Sequence, residues 1–353
     1  MTRAQNVVGP KWDEEHDASE NGLIEAPSAV LRVAAALPTG VIPSTVSAQE
    51  IADRLAKHAH KARGAYAPET VRAMAKGSAA WFRWCAGRDA CGLPTSPDVL
   101  AEYVDALAAQ GRKVSGIRQA VWAVGALHRA TRFPDPATDE AVRLALKRVA
   151  RAYGSRQRQA APIVEDDERM ILRLAGKSPR ELRDVALLLV MRDLLARRSE
   201  VVALQVEDLT FARDGTATAL IRRSKTDQGG QGKVLWLGPA TVARLRAWMS
   251  AAAITTGPVF RAVNKAGVPG HQLDAGSVPG ILKRLAELAG LDPETISGHS
   301  CRVGMAQDLS ASGADVARLM EAGRWKSPMM PARYTERQEA ARGAVAMFRQ
   351  RRG

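Results

Sequence analysis

The sequence predicts a mainly α-helical protein with a small antiparallel β-sheet, built as an N-terminal helical domain followed by a mixed α/β domain. Three observations carry that expectation. Apolar residues recur at helical spacing from Ser47 to Tyr153 with turn signals between segments. The stretch Gly154 to Pro162 (GSRQRQAAP) is short, polar and basic and has no apolar periodicity. Beyond it, Val206 to Phe211, Thr216 to Arg222 and Gly232 to Leu237 alternate like short antiparallel strands, with an Asp214-Gly215 turn between the first two. The divisions expected are a flexible arm over 1–44, a helical domain over 45–153, a linker over 154–162 and the mixed domain over 163–353.

Composition narrows the function. With 353 residues and 46% apolar content, each domain can bury a core. The longest apolar run, Val185 to Met191, is far below the roughly 20 residues of a spanning helix. No basic-then-apolar signal pattern opens the sequence. A cytoplasmic, nucleoid-associated protein is expected. Cys85, Cys91 and Cys301 have no metal-ligand spacing and are odd in number, which predicts free thiols, no metal and no cofactor. A net charge of +14, from 51 Lys plus Arg against 37 Asp plus Glu, points to a polyanion partner. Charge alone fits a ribosome-associated or merely basic protein equally well.

In chain order, the acidic KWDEEHDASENGLIEAP and the prolines after it read as a flexible arm. Five helical segments follow: Ala48 to Arg63 behind a Ser47 cap, Glu69 to Ala86 after Pro68, Pro97 to Gln110 after Ser96, Ser115 to Thr131, and Thr138 to Tyr153. Trp81, Trp84 and Cys85 read as core. Arg72, Lys76, Arg118 and Gln119 occupy polar positions on the second and fourth segments, either a solvated face or a surface reaching base edges and phosphates. In the second domain, Glu165 to Glu168 make an acid-rich helix start, and Arg180 to Leu195 is a strongly apolar helix. It runs into Ala196-Arg197-Arg198-Ser199-Glu200. After the strands come a helix over Pro239 to Ala252, a short buried segment at 257–261, a loop-like stretch over 264–276 and a helix to Leu288.

Ser297 to Tyr334 carries the chemistry. His299 and Arg302 are three residues apart, so on a helix entered at about Ser300 they share its first turn, where unpaired N–H groups favour an anion. A second helix over Ala314 to Glu321 follows, then Gly323, Trp325, turns at Pro328 and Pro331, and Tyr334, the only tyrosine after Tyr153. The last stretch presents Ala340, Val345, Ala346 and Phe348 as an apolar face on a basic helix.

His299-x-x-Arg302 followed by Trp325 and Tyr334 resembles the C-terminal signature of the tyrosine recombinase (phage integrase) family, and the resemblance extends over roughly residues 46 to 350. It implies a helical core-binding (SAM-like) domain and a catalytic domain that close on DNA as a C-shaped clamp. The catalytic residues it implies are Arg197, matched by the R-x-x-E spacing to Glu200, then Glu200, Lys225, His299, Arg302, Trp325 and the nucleophile Tyr334. Most members have Gly two residues before the first arginine, where this chain has Leu195. Lys225 lies in the glycine-rich tip between the second and third strands, with Lys233 as the runner-up. The DNA-binding residues implied are Arg72, Lys76, Arg118, Gln119 and Arg198, the last beside the backbone. The partners implied are double-stranded DNA with inverted-repeat half-sites and three further copies of the chain, coupled by the C-terminal helix.

These residue types supply what metal-free cleavage of a phosphodiester needs. Tyr334 is a nucleophile that conserves bond energy, Arg197, Arg302, His299 and Trp325 are donors for the phosphate oxygens, and Lys225 is an acid for the leaving 5′-oxygen. Glu200 is expected to orient His299 or assist the tyrosine's deprotonation. A monomeric type IB topoisomerase-like relaxase and a catalytically idle architectural DNA-binding protein are the alternatives.

Overall fold

Ser47 accepts the Glu50 N–H at 3.1 Å and opens the first helix. In the computed structural model the described residues are 46–350, except 155, 157, 225, 226, 228, 229 and the side chain of 342. The expected arm over 1–44 and Lys225 lie outside them. The chain divides into two units, the first ending at Gln157 and the second beginning at Arg158.

The first unit contains α1 (Ala48–Lys61), α2 (Pro68–Ala86), α3 (Pro97–Ala109), α4 (Val114–Thr131) and α5 (Glu140–Tyr153). Pro68 and Pro97 stand at first helical positions, where a missing N–H costs nothing. Its core gathers Ile51, Trp81, Cys85, Leu100, Tyr103 and Ile117. Trp81 stacks on Trp84 at 5.5 Å and meets Tyr103 edge-on at 5.0 Å. Burial pushes the Cys85 thiol up to about 12, as for an inert core cysteine. His128 is fully buried: Nδ1–H donates to the Val124 carbonyl at 2.9 Å while Nε2 accepts the Thr95 N–H at 3.0 Å. That arrangement requires a neutral ring.

The second unit is organised around α7 (Pro179–Asp193), apolar on nearly every side and buried from Arg183 to Arg192. Around it lie α6 (Glu165–Leu174), α8 (Arg198–Val202), α9 (Pro239–Ala251), α10 (Val278–Leu288) and α11 (Ser300–Ala311). The antiparallel sheet has the order β1 (Leu209–Phe211), β2 (Ala217–Ile221), β3 (Lys233–Leu237). Helices α12 (Val316–Gly323), α13 (Met329–Arg342) and α14 (Ala344–Gln350) complete it.

Several boundaries differ from the sequence expectation. Val206–Asp208 forms a 3₁₀ turn rather than strand, because the Asp208 carboxylate accepts the Gln205 N–H at 2.9 Å and coils the backbone. The stretch expected as a loop over 264–276 holds the turn and second strand of a hairpin, β4 (Arg261–Val263) with β5 (Pro269–Gln272). Its turn is held by the Asn264 side chain, which accepts the Val268 N–H at 2.9 Å, and by Gly267 at φ 81. No alternation announces it. Pro331 lies inside the first turn of α13, where it breaks no helical bond. The expected C-terminal helix is two helices parted at Gly343.

Buried polar contacts fix α11 against α7. Arg192 on α7 bonds Glu168 on α6, the Ile163 carbonyl, and Asp308 on α11, the last at 2.6 Å. Ile163 in turn donates its N–H to the Ser300 carbonyl at 3.1 Å. Gly304 sits where this strand of chain crosses α11, and a Cβ there would overlap the Ile163 carbonyl.

Two stability predictions follow from these contacts. Burial holds the His128 imidazole below its ordinary pKa, so the unfolded chain binds the proton more readily. Stability contributed by the neutral ring is full above the ordinary imidazole range of about 6.5 and declines as pH falls below it. Melting followed between pH about 7.5 and about 5 should show that decline, and His128→Gln should flatten it. Gly304→Ala should lower unfolding free energy by about 1 to 3 kcal/mol through overpacking, read from the denaturant midpoint.

Candidate active site

The end of α7 begins the site. Leu194 caps the helix, and Leu195 follows at φ 42, in the left-handed region that a non-glycine residue enters at a cost of about 1 to 2 kcal/mol. This explains why glycine suits the position. Leu195 occupies it here because its side chain is buried with Val303, Ala306, Leu319, Trp325 and Tyr334, forming the apolar floor of the site. The twist also aims the Leu195 carbonyl at α11, where it accepts from the Arg302 guanidinium.

Arg197 caps α8. Its backbone N–H donates to Glu200 Oε2 at 3.0 Å and its Nη1 to Glu200 Oε1 at 2.6 Å. Glu200 is buried, and its second oxygen also receives Nη2 of Arg324 at 2.6 Å. Both carboxylate oxygens are thus engaged by arginines. Arg198, next along the chain, is exposed and lies against Gly298.

His299 caps α11 and is exposed at the rim, while Arg302, one turn on, is only 2% exposed. Arg302 donates to the Leu195 and Gly323 carbonyls, and its guanidinium lies 4.5 Å from the centre of the Trp325 ring. A guanidinium has five N–H donors, so these two bonds orient it without exhausting it. Burial, together with the charges of Arg197 and Arg324, pulls its pKa down to about 10. It remains cationic at neutral pH.

Trp325 follows the left-handed cap of α12 and packs over Gly323, where a Cβ would strike the indole. Tyr334, on the second turn of α13, meets Trp325 edge-on at 5.5 Å and 77°. The two are 9% and 7% exposed. Gln307 of α11 and Gln159 donate to the Tyr334 carbonyl at 3.0 and 3.4 Å, tying α13 to the histidine-arginine helix.

The structure therefore brings together Arg197, Glu200, Arg302, Trp325 and Tyr334, with His299 at the N-terminus of the helix that carries Arg302. Arg72, Lys76, Arg118 and Gln119 are exposed on α2 and α4 of the first unit, with Arg72 paired to Glu69. Lys233, the alternative to Lys225, sits on β3 with its Nζ 3.8 Å from Glu321 of α12. Sequence reasoning missed Arg324, whose one sequence signal is its place beside Trp325 between two elements of the signature. It also missed that the glycines at 304 and 323 are sites of close approach.

Comparison with known proteins agrees with this geometry. Residues 163–341 match the phage integrase family. An integrase/recombinase XerD homolog of Selenomonas ruminantium is 32% identical over 281 residues, covering 76% of this chain and 82% of that protein. The recombinase Cre of Escherichia phage P1 is 27% identical over 304 residues, covering 80% and 88% respectively. Among solved structures, the XerH site-specific recombinase bound to a palindromic difH substrate superposes with a TM-score of 0.61 at 16% identity, covering 92% of this chain and 95% of that one. The Tn1549 transposon integrase in complex with a circular intermediate DNA gives 0.57 at 13% identity, covering 84% and 98%. The arginines, histidine, tryptophan and tyrosine gathered at α8, α11, the end of α12 and α13 thus stand in a fold and a sequence context that agree, and the chain belongs to the phage integrase family of tyrosine recombinases, enzymes that cleave and transfer DNA strands.

Proposed function

We propose that this chain is a Cre-like site-specific recombinase that cuts and rejoins DNA at inverted-repeat sites through a 3′-phosphotyrosine, without metal or ATP. The observation that carries the reading is the run of contacts from Arg302 over the Trp325 ring to the edge-on Tyr334, joined through the Leu195 carbonyl, Arg324 and Glu200 to Arg197. It gathers a nucleophile and two guanidinium groups in a water-poor pocket, where positive charge acts most strongly on a phosphate.

In this reading a phosphodiester enters over Arg302 and Arg197, which bind its non-bridging oxygens, with His299 at the rim and the Trp325 indole N–H as further donors. The Tyr334 hydroxyl passes its proton to solvent by way of the exposed His299 as its oxygen attacks phosphorus, the bond to the 5′-oxygen breaks, and that oxygen takes a proton from Lys225, which solvent then replaces. The reverse attack by a 5′-hydroxyl restores the duplex and frees the tyrosine. Glu200 acts as a positioning residue for the arginines.

Arg72, Lys76, Arg118 and Gln119 present polar groups to the grooves, and Arg198 contacts the backbone. Two sites are synapsed by four copies. Val345 and Phe348 on α14, 76% and 52% exposed, provide an apolar face for a neighbouring protomer.

A nicked suicide duplex tests the reading, carrying a sequence that the full chain enriches from a randomised library. The wild type should form a slow-migrating covalent adduct. Tyr334→Phe should bind the duplex and form none; an adduct from Tyr334→Phe would sink the assignment of the nucleophile. Arg302→Lys keeps the charge but not the two carbonyl bonds, and should slow cleavage about 10²- to 10³-fold. Relaxation of supercoiled DNA lacking the enriched sequence would favour a topoisomerase-like enzyme instead.

A further inference from the structure

Arg324 has no part in the scheme above, yet its placement is costly. It caps α12 at φ 53 and ψ 45, a left-handed conformation in which glycine or asparagine is usual and other residues are strained. Its side chain is only 9% exposed. Burial and the charge of Arg197 lower its pKa, against the opposing pull of Glu200. Its Nε is buried with no hydrogen-bond partner. What it gains is specific: Nη2 reaches Glu200 Oε2 at 2.6 Å, and Nη1 reaches the Leu194 carbonyl at 3.2 Å.

A cation with this backbone strain, desolvated beside two like charges, does not serve stability. We propose that Arg324 is a positioning residue for strand cleavage. It holds the Glu200 oxygen that Arg197 Nη1 does not, and so fixes the carboxylate that orients Arg197. It also ties down the Leu194-Leu195 turn whose carbonyl orients Arg302. Its charge adds to the field that Arg197 and Arg302 direct at the phosphate. Trp325, the next residue, is thereby seated under Arg302 by the same left-handed cap. The role rests on the phosphotyrosine reading.

A double-mutant cycle on the full chain tests it, using Arg324→Gly, Glu200→Gln and the pair with the nicked suicide duplex. Arg324→Gly should relieve the backbone and leave melting temperature and duplex affinity close to wild type, while cleavage at saturating DNA slows roughly 10- to 100-fold. The double variant should be no slower than the slower single variant, because both changes break one clamp. Should Arg324→Gly not fold, Arg324→Lys carries the test. It keeps the charge without the two-point grip and should also cleave more slowly than wild type at unchanged affinity.

Wild-type cleavage by the folded Arg324 variant overturns the proposal, and so do losses that multiply in the double variant. A wild-type chain that forms no adduct overturns the phosphotyrosine reading and this role with it. A wild-type adduct matched in rate by Arg324→Gly removes the role of Arg324 alone.

Discussion

Three guanidinium groups, those of Arg197, Arg302 and Arg324, converge on one carboxylate and the backbone carbonyls of Leu194, Leu195 and Gly323, and the rest of the catalytic unit serves to hold that excess of positive charge together. Like charges taken out of water repel strongly and resist desolvation, and the lowered pKa of Arg302 registers both effects. A buried cluster of this kind is stable only where geometry over-determines it. In the proposed reaction a phosphate would complete the cluster electrostatically, and the work of bringing the charges together would already be done in folding.

The over-determination comes from the packing of α11 on α7. Arg192 connects three segments through Glu168, the Ile163 carbonyl and Asp308, and Gly304 lets the chain at Ile163 press directly on α11. Because Arg302 lies two residues before Gly304, and Leu195 three residues after Arg192, any shift between these helices displaces a guanidinium from its carbonyl. Hydrogen bonds to backbone carbonyls suit this task. The carbonyls add negative dipole without neutralising the charge a substrate phosphate needs.

Two strained residues lie in the same place. Leu195 and Arg324 both adopt left-handed backbone conformations, and both contribute to the contacts that orient Arg302. Such residues persist only where surrounding packing compensates, here the apolar floor formed with Val303, Leu319, Trp325 and Tyr334. Local propensity yields to site geometry at these positions.

Sequence by itself determined the helical first unit, the buried α7 and the strands β2 and β3, and through its resemblance to a known family it singled out Arg197, Glu200, His299, Arg302, Trp325 and Tyr334 as candidates. Helical periodicity, proline and serine caps and the spacing of a signature are local properties, so they are legible without a fold. The β4–β5 hairpin was not legible, because a side-chain turn at Asn264 makes it rather than alternation. Tertiary structure alone decided that Glu200 serves Arg197 and Arg324, that Gly304 and Gly323 are points of contact, and that Arg324 belongs with the site. Glu200 with Arg324, and Leu195 with Arg302, are separated by more than a hundred positions, and only the packing of α7, α11 and α12 brings such residues within hydrogen-bonding distance.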